Sequence, residues 1–220
     1  MTAGVRPAAV LFDLDGTLLD TAPDFVLALN ALRAEEGLTA LSLDDIRPHV
    51  SHGSPALIRV AFGADDDQAR FDRRRLRLLD LYAATLAQAA QLFPGMDEVL
   101  NTIEQRGLVW GIVTNKPTWL TTPLLQAFKL GARAGCVIAG DSAARAKPFP
   151  DPLLAAARVL GCAPARCLYL GDAERDVTAA RAAGMTAVIA LYGYLGIDDQ
   201  PHCWGGDGVI NAPRDLLTWI

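Results

Sequence analysis

The chain has 220 residues, of which 51% are hydrophobic and 20% charged, with a formal net charge of −5. That length suits one large domain or a domain with a sizeable insertion, and the acidic balance argues against a general nucleic-acid binder, which carries a basic patch or stripe. No run of about 18 uncharged apolar residues occurs, so no membrane span is expected. The N-terminal residues lack a signal peptide's long apolar segment, and Cys136, Cys162, Cys167 and Cys203 form no CxxC pair or zinc-like spacing. A cytoplasmic protein with reduced thiols is the expectation.

The first predicted element is a strand over "AAVLFD", Ala8 to Asp13. Near-continuous apolar runs of this length fit strands buried on both faces of a parallel sheet. Helical patterns follow for almost a hundred residues. Phe25, Leu29 and Leu32 form a stripe stopped by Gly37, and Ser42 with Asp45 resembles a capping pair. Ser54 before Pro55 reads as a helix start. Leu76, Leu79, Tyr82, Ala83 and Leu86 recur at helical spacing. The basic run "RFDRRRLR", Arg70 to Arg77, follows Asp65, Asp66 and Asp67 and reads as a solvated helix face.

From "FPG", Phe93 to Gly95, onward, helix and strand alternate. Met96 to Arg106 is a predicted helix stopped by Gly107, and strands are predicted over "VWGIVTN", "RCLYLGD" and "MTAVIAL", with "GCVIAG" a weaker fifth. This is the pattern of an α/β fold: a doubly wound, Rossmann-like parallel sheet. The long helical stretch then becomes an inserted α-helical domain. The predicted boundaries are residues 1–20 and 93–220 for the core and 21–92 for the insertion.

In such a sheet, ligands gather beyond the carboxyl ends of the strands. Asp13, Asp15, Thr114, Asn115 and Asp172 close the predicted strands there. Clustered carboxylates repel and raise one another's pKa unless a cation sits among them. Hard oxygen ligands suit Mg²⁺, which in turn favours a phosphate-bearing ligand. Taken singly these residues have ordinary readings: turn residues, a strand-end hydroxyl, a solvated lysine, a helix start.

Taken together, "DLDGT", "VTNK", "AKPFPD" and "GDAERD" occur in order, and the chain resembles the haloacid dehalogenase superfamily of phosphohydrolases from about Ala8 to Leu191. The resemblance implies a helical cap inserted between the first two motifs. It implies Asp13 as nucleophile forming an aspartyl-phosphate and Asp15 as general acid/base. Thr114 would hold a phosphate oxygen with Asn115 beside it, and Lys147 would offset charge on the nucleophile and phosphoryl group. Asp172, Asp13 and the backbone carbonyl of Asp15 would bind Mg²⁺, with Asp176 supporting the metal or holding Lys147. Gly16 and Thr17 form the turn whose N–H groups face phosphate.

"DGTLLDTAPD" with "VTNKP" most resembles phosphoglycolate phosphatases within that superfamily. The tail "LYGYLGIDDQPHCWGGDGVI" resembles N-acetylmuramic acid 6-phosphate phosphatases nearly as well. Either way the partner is a small phosphorylated metabolite, handled by a monomer or homodimer. His52 is a candidate for contacting a substrate carboxylate or sugar hydroxyl, and Lys116 for a substrate anion, against ordinary readings as an exposed histidine and a solvated lysine. The alternatives carried are a β-phosphoglucomutase-like phosphotransferase, a receiver domain, and a non-catalytic metabolite-binding protein on the same fold.

Overall fold

Each predicted strand is present in the computed structural model, which describes residues 6–64 and 67–220. Asp65 and Asp66, named above with the basic run, lie outside the described residues. The core strands are β1 (Ala9–Phe12), β4 (Val109–Val113), β5 (Cys136–Ile138), β6 (Cys167–Gly171), β7 (Thr186–Ala190) and β8 (Gly208–Ile210). They form one sheet in the order β5-β4-β1-β6-β7-β8, with every pairing parallel. β8 was not predicted. Three residues, one of them glycine, between Asp207 and Asn211 give too short an apolar run to read as a strand.

β1 lies at the reversal of strand order, with Ala9 opposite both Val109 and Cys167, and Phe12 opposite both Ile112 and Leu170. Its alternation splits the core. Val10 and Phe12 enter a cluster with Leu100, Ile103 and Leu124, while Ala9 and Leu11 enter another with Leu153, Ala156 and Ala180. The helices that supply these faces are α5 (Met96–Gln105) and α6 (Thr118–Ala127) on one side, and α7 (Asp151–Val159) and α8 (Glu174–Ala182) on the other. The doubly wound arrangement follows from that apolar run of four residues, buried on both sides.

The stretch after β1 is helical, as predicted, and comprises α1 (Ala22–Glu35), α2 (Leu43–Ile46), a 3₁₀ turn over Arg47–His52, α3 (Gly53–Phe62) and α4 (Gln68–Ala84). Ser42 caps α2: its hydroxyl accepts from the Asp45 amide, and the Asp45 carboxylate accepts from the Ser42 amide. Two details differ from the sequence reading. α3 begins at Gly53, one residue before Ser54, with the left-handed φ of +76° that glycine tolerates, and no side chain caps it. On α4, Leu78 and Tyr82 face inward while Leu76 is 56% exposed, because Tyr82 stacks on Phe25 of α1 at 3.8 Å and sets the helix phase.

Two strands of two residues, β2 (Leu19–Asp20) and β3 (Gln91–Leu92), pair antiparallel where the chain leaves and re-enters the sheet domain. Beside them, the fully buried Asp24 accepts the amides of Ala87, Ala89 and Ala90 at 2.7, 2.7 and 3.1 Å. One carboxylate thereby fixes the returning chain to the start of α1. Asp24→Ala is expected to lower unfolding free energy by about 3 kcal/mol in urea denaturation, since three amides lose a charged acceptor in a buried place. A loss under about 0.5 kcal/mol, the range of an indifferent surface change, would refute that anchoring role.

Candidate active site

The ends of β1 and β6, the connection after β5 and the first turn of α8 deliver four charged side chains to one buried point. Asp13, Lys147, Asp172 and Asp176 are 2%, 3%, 1% and 1% exposed, so each charge needs a partner there. Lys147 provides it: its Nζ lies 2.8 Å from Asp13 Oδ1 and 2.8 Å from Asp176 Oδ1. The same ammonium donates to the Val113 carbonyl at 3.0 Å and to the Tyr169 hydroxyl at 2.7 Å. Burial, with Asp176 and Asp13 nearby, pushes the Tyr169 phenol well up, so it serves as a neutral dipole.

Lys147 divides its charge unevenly. Burial, and then the charges of Asp176 and Asp172, outweigh Lys147 at Asp13 and push that carboxyl up to about 7. Burial also works against the Asp176 anion, but Lys147 and Arg175 prevail and hold it below its ordinary value. Asp172 is raised, first by burial and then by Asp176. Oxygens of Asp13, Asp172 and Asp176 lie within 4.8 Å of one another. Three buried, hard oxygen donors at that separation fit a small divalent cation.

Asp172 is held from three directions. Thr17 Oγ1 donates to its Oδ1 at 3.1 Å, and Ser51 Oγ and the Tyr194 amide donate to its Oδ2 at 2.7 and 2.9 Å. Ser51 belongs to the helical insertion, so this bond crosses from the insertion to the sheet domain. The turn after β1 makes room for it: a Cβ on Gly16, whose φ is +86°, would fall 2.2 Å from Asp172 Oδ2. The Gly16 amide donates to the Leu19 carbonyl and the Thr17 amide to that of Leu14. In this structure these two N–H groups close the turn.

Asp15 points elsewhere. Its Oδ1 accepts from Thr21 Oγ1 at 2.6 Å and pairs with Lys116 Nζ at 2.8 Å. Lys116 is 7% exposed, donates to the Tyr82 hydroxyl at 2.9 Å, and lies 4.6 and 5.1 Å from the Tyr82 and Phe25 ring centres. The reading of a solvated lysine is corrected. Its ammonium is caged by two rings of the insertion because the Phe25 and Tyr82 stack meets the end of β4 there.

Thr114 is buried, and its Oγ1 accepts from the Lys116 amide at 3.1 Å. Asn115 clamps Lys147 by its backbone: Nδ2 donates to the Lys147 carbonyl at 2.9 Å, and Oδ1 accepts the Lys147 amide at 3.0 Å. That clamp occupies one of the two side-chain amide hydrogens of Asn115.

A cavity of about 320 Å³ opens over these residues, lined by Asp13, Asp15, Thr114, Asn115 and Lys116 below and by Ser51, Ser54, Leu79 and Arg75 of the insertion above. His52 is exposed and lies outside it, lining a second cavity of about 220 Å³ with Asp172, Tyr194 and Asp199. Arg175, which the motif reading passed over, lines both cavities. Burial works against its charge, but Asp176, Asp13 and Asp172 outweigh burial and raise its pKa. Its buried Nε has no hydrogen-bond partner. Tyr82, legible only as part of a helical stripe, and Tyr194 sit in none of the four motifs and reach the site through tertiary packing.

The family model described as haloacid dehalogenase-like hydrolase matches residues 10–190. A protein of Xanthomonas campestris pv. campestris named phosphoglycolate phosphatase is 48% identical over 210 residues, covering 96% of this chain and 95% of its own. One of Pseudomonas putida named N-acetylmuramic acid 6-phosphate phosphatase is 41% identical over 216 residues, covering 98% and 97%. The crystal structure of a protein from Haemophilus somnus 129PT, described as a predicted phosphoglycolate phosphatase, superposes with a TM-score of 0.85 at 26% identity over 97% of this chain and 98% of its own. With four motifs converging at the carboxyl end of a parallel sheet and a match across most of its length, this chain belongs to the haloacid dehalogenase-like hydrolase family.

Proposed function

We propose that the protein is a Mg²⁺-dependent phosphatase that hydrolyses a small phosphomonoester through an aspartyl-phosphate on Asp13, with residues 21–92 acting as a cap over the site. The observation that carries this reading is the Asp13 carboxylate itself, buried against Lys147 at 2.8 Å and lining the floor of the cavity. An oxygen of Asp13 attacks phosphorus, the bond to the ester oxygen breaks, and Asp15 gives that oxygen its proton. Asp15 then takes a proton from water as the water oxygen attacks phosphorus, which releases phosphate and restores the Asp13 carboxylate. Thr114 holds a phosphoryl oxygen at the cavity floor, and Lys147 offsets negative charge beside the nucleophile.

Asp13 and Asp172 would hold the metal together with the Asp15 carbonyl, while Asp176 serves chiefly to fix Lys147. Bound there, Mg²⁺ supplies the positive charge that keeps the carboxylates ionised and draws a phosphate dianion to them. The substrate reading that follows the similarity to the Xanthomonas protein is 2-phosphoglycolate. The second reading, N-acetylmuramic acid 6-phosphate, is favoured by the size of the cavity, about 320 Å³, which exceeds what a two-carbon acid needs.

Asp13→Asn is expected to lower kcat on either substrate by about 10⁴-fold or more, as loss of a covalent nucleophile does. More than a tenth of wild-type activity in that variant would remove Asp13 from the role. A second expectation concerns pH. With metal removed by EDTA, folded Asp13 keeps its proton up to about pH 7, whereas an unfolded carboxyl ionises near 3.8. Stability from this group is complete below the lower value and is lost as pH rises through the upper one. Melting temperature in EDTA should therefore fall between about pH 4 and pH 7, with a shallower fall in Asp13→Asn. Equal slopes in the two proteins would contradict the raised pKa.

A further inference from the structure

The cap helix α4 presents Arg75, Leu79 and Tyr82 at spacings of four and three residues, so the three share one face. At the Tyr82 end, the phenol meets Lys116, which holds Asp15, so the leaving-group oxygen belongs there. Leu79 and Arg75 line the same cavity farther along. Seven residues of helix separate Tyr82 from Arg75, about 10 Å at 1.5 Å per residue.

The other cations of this cavity stand close to the site carboxylates. Lys116 is paired with Asp15 at 2.8 Å, and Arg175 lies in the field of Asp13, Asp172 and Asp176. Among the described residues Arg75 has only a loose pair, with Asp72 of its own helix at 3.9 Å. Between the two ends the walls are apolar or neutral: Phe25, Val50, Leu79 and Leu120. A guanidinium offered across such a wall is suited to a carboxylate, which it binds in a bidentate fork.

We propose that Arg75 is a specificity-determining residue that takes a second anionic group of the substrate, remote from the phosphate. This rests on the phosphatase reading above and deepens it. The substrate class is a phosphorylated sugar acid, whose carboxylate lies several bonds from the ester oxygen. 2-Phosphoglycolate, with its carboxyl carbon two bonds from that oxygen, is too short to reach both ends. The basic run read from the sequence as a solvated face thus contributes Arg75 to the cavity lining, while its Arg77 pairs outward with Glu35.

The test compares kcat/KM for N-acetylmuramic acid 6-phosphate, its lactyl methyl ester, N-acetylglucosamine 6-phosphate and 2-phosphoglycolate. In wild type, the acid should exceed both the ester and the neutral sugar about ten- to hundredfold, the range of a charge-assisted hydrogen-bonded pair, chiefly through KM. Arg75→Gln should collapse these ratios toward one, Arg75→Lys should restore part of them, and the loss on 2-phosphoglycolate should be smaller than on the sugar acid. Wild-type ratios near one, ratios unaltered in Arg75→Gln, or an equal loss on 2-phosphoglycolate would each overturn the assignment. The ester comparison needs no variant and so does not depend on one folding. If wild type releases phosphate from none of these compounds nor from p-nitrophenyl phosphate, the phosphatase reading itself fails, which is a distinct result.

Discussion

Everything at the sheet's carboxyl edge depends on one buried ammonium. Asp13 and Asp176 stand at the ends of different elements, yet both lie 2.8 Å from Lys147 Nζ. Two carboxylates and a lysine removed from water cost several kcal/mol each unless mutually satisfied. The arrangement meets that cost with further dipoles, the Val113 carbonyl and the Tyr169 hydroxyl, and it fixes the lysine from behind through the Asn115 clamp. The remaining imbalance falls on Asp13, whose raised pKa marks a carboxylate still short of positive charge. That shortage, which persists with Lys147 in place, is what a divalent cation is suited to relieve.

A second network ties the site to the insertion. Tyr194 accepts the amides of Thr21 and Ala22 through its hydroxyl, donates to Asp20, and gives its own amide to Asp172. Asp20 in turn pairs with Arg47, whose guanidinium lies 4.9 Å over the Tyr194 ring. A Cβ on Gly193 would collide with Asp172 Cβ at 2.3 Å, so the tail can approach only because that position is glycine. The segment after β7 is therefore a brace between the two-stranded stem and an acidic group of the site, rather than a loose end.

The strands and the site carboxylates were legible because their signals are local: an apolar run, a polar terminus, and motifs in fixed order. The insertion was legible as a helical stretch too long for a crossover. What stayed hidden is tertiary. Lys116 reads as solvated until Phe25 and Tyr82, from helices 1 and 4 of the insertion, close around it. Ser51 is an ordinary serine until the 3₁₀ turn places its hydroxyl on Asp172. Arg75 sits among five arginines of one run, and the helix phase set by Tyr82 decides which of them lines the cavity. β8 and the β2–β3 stem were missed for want of length, since two or three residues carry no periodicity.

These contacts place the insertion on two carboxylates of the site, Asp172 and Asp15. Ser51 meets Asp172 at 2.7 Å, and Tyr82 meets Asp15 by way of Lys116. Neither bond survives if the insertion swings away, and both would then expose polar groups that are buried in this structure. A substrate filling the cavity touches the same elements and adds its own contacts to them, so occupancy and closure favour one another by simple linkage. The carboxylates are thus oriented by residues of the insertion that also bound the cavity, so the position of the insertion and the geometry of the site cannot vary independently.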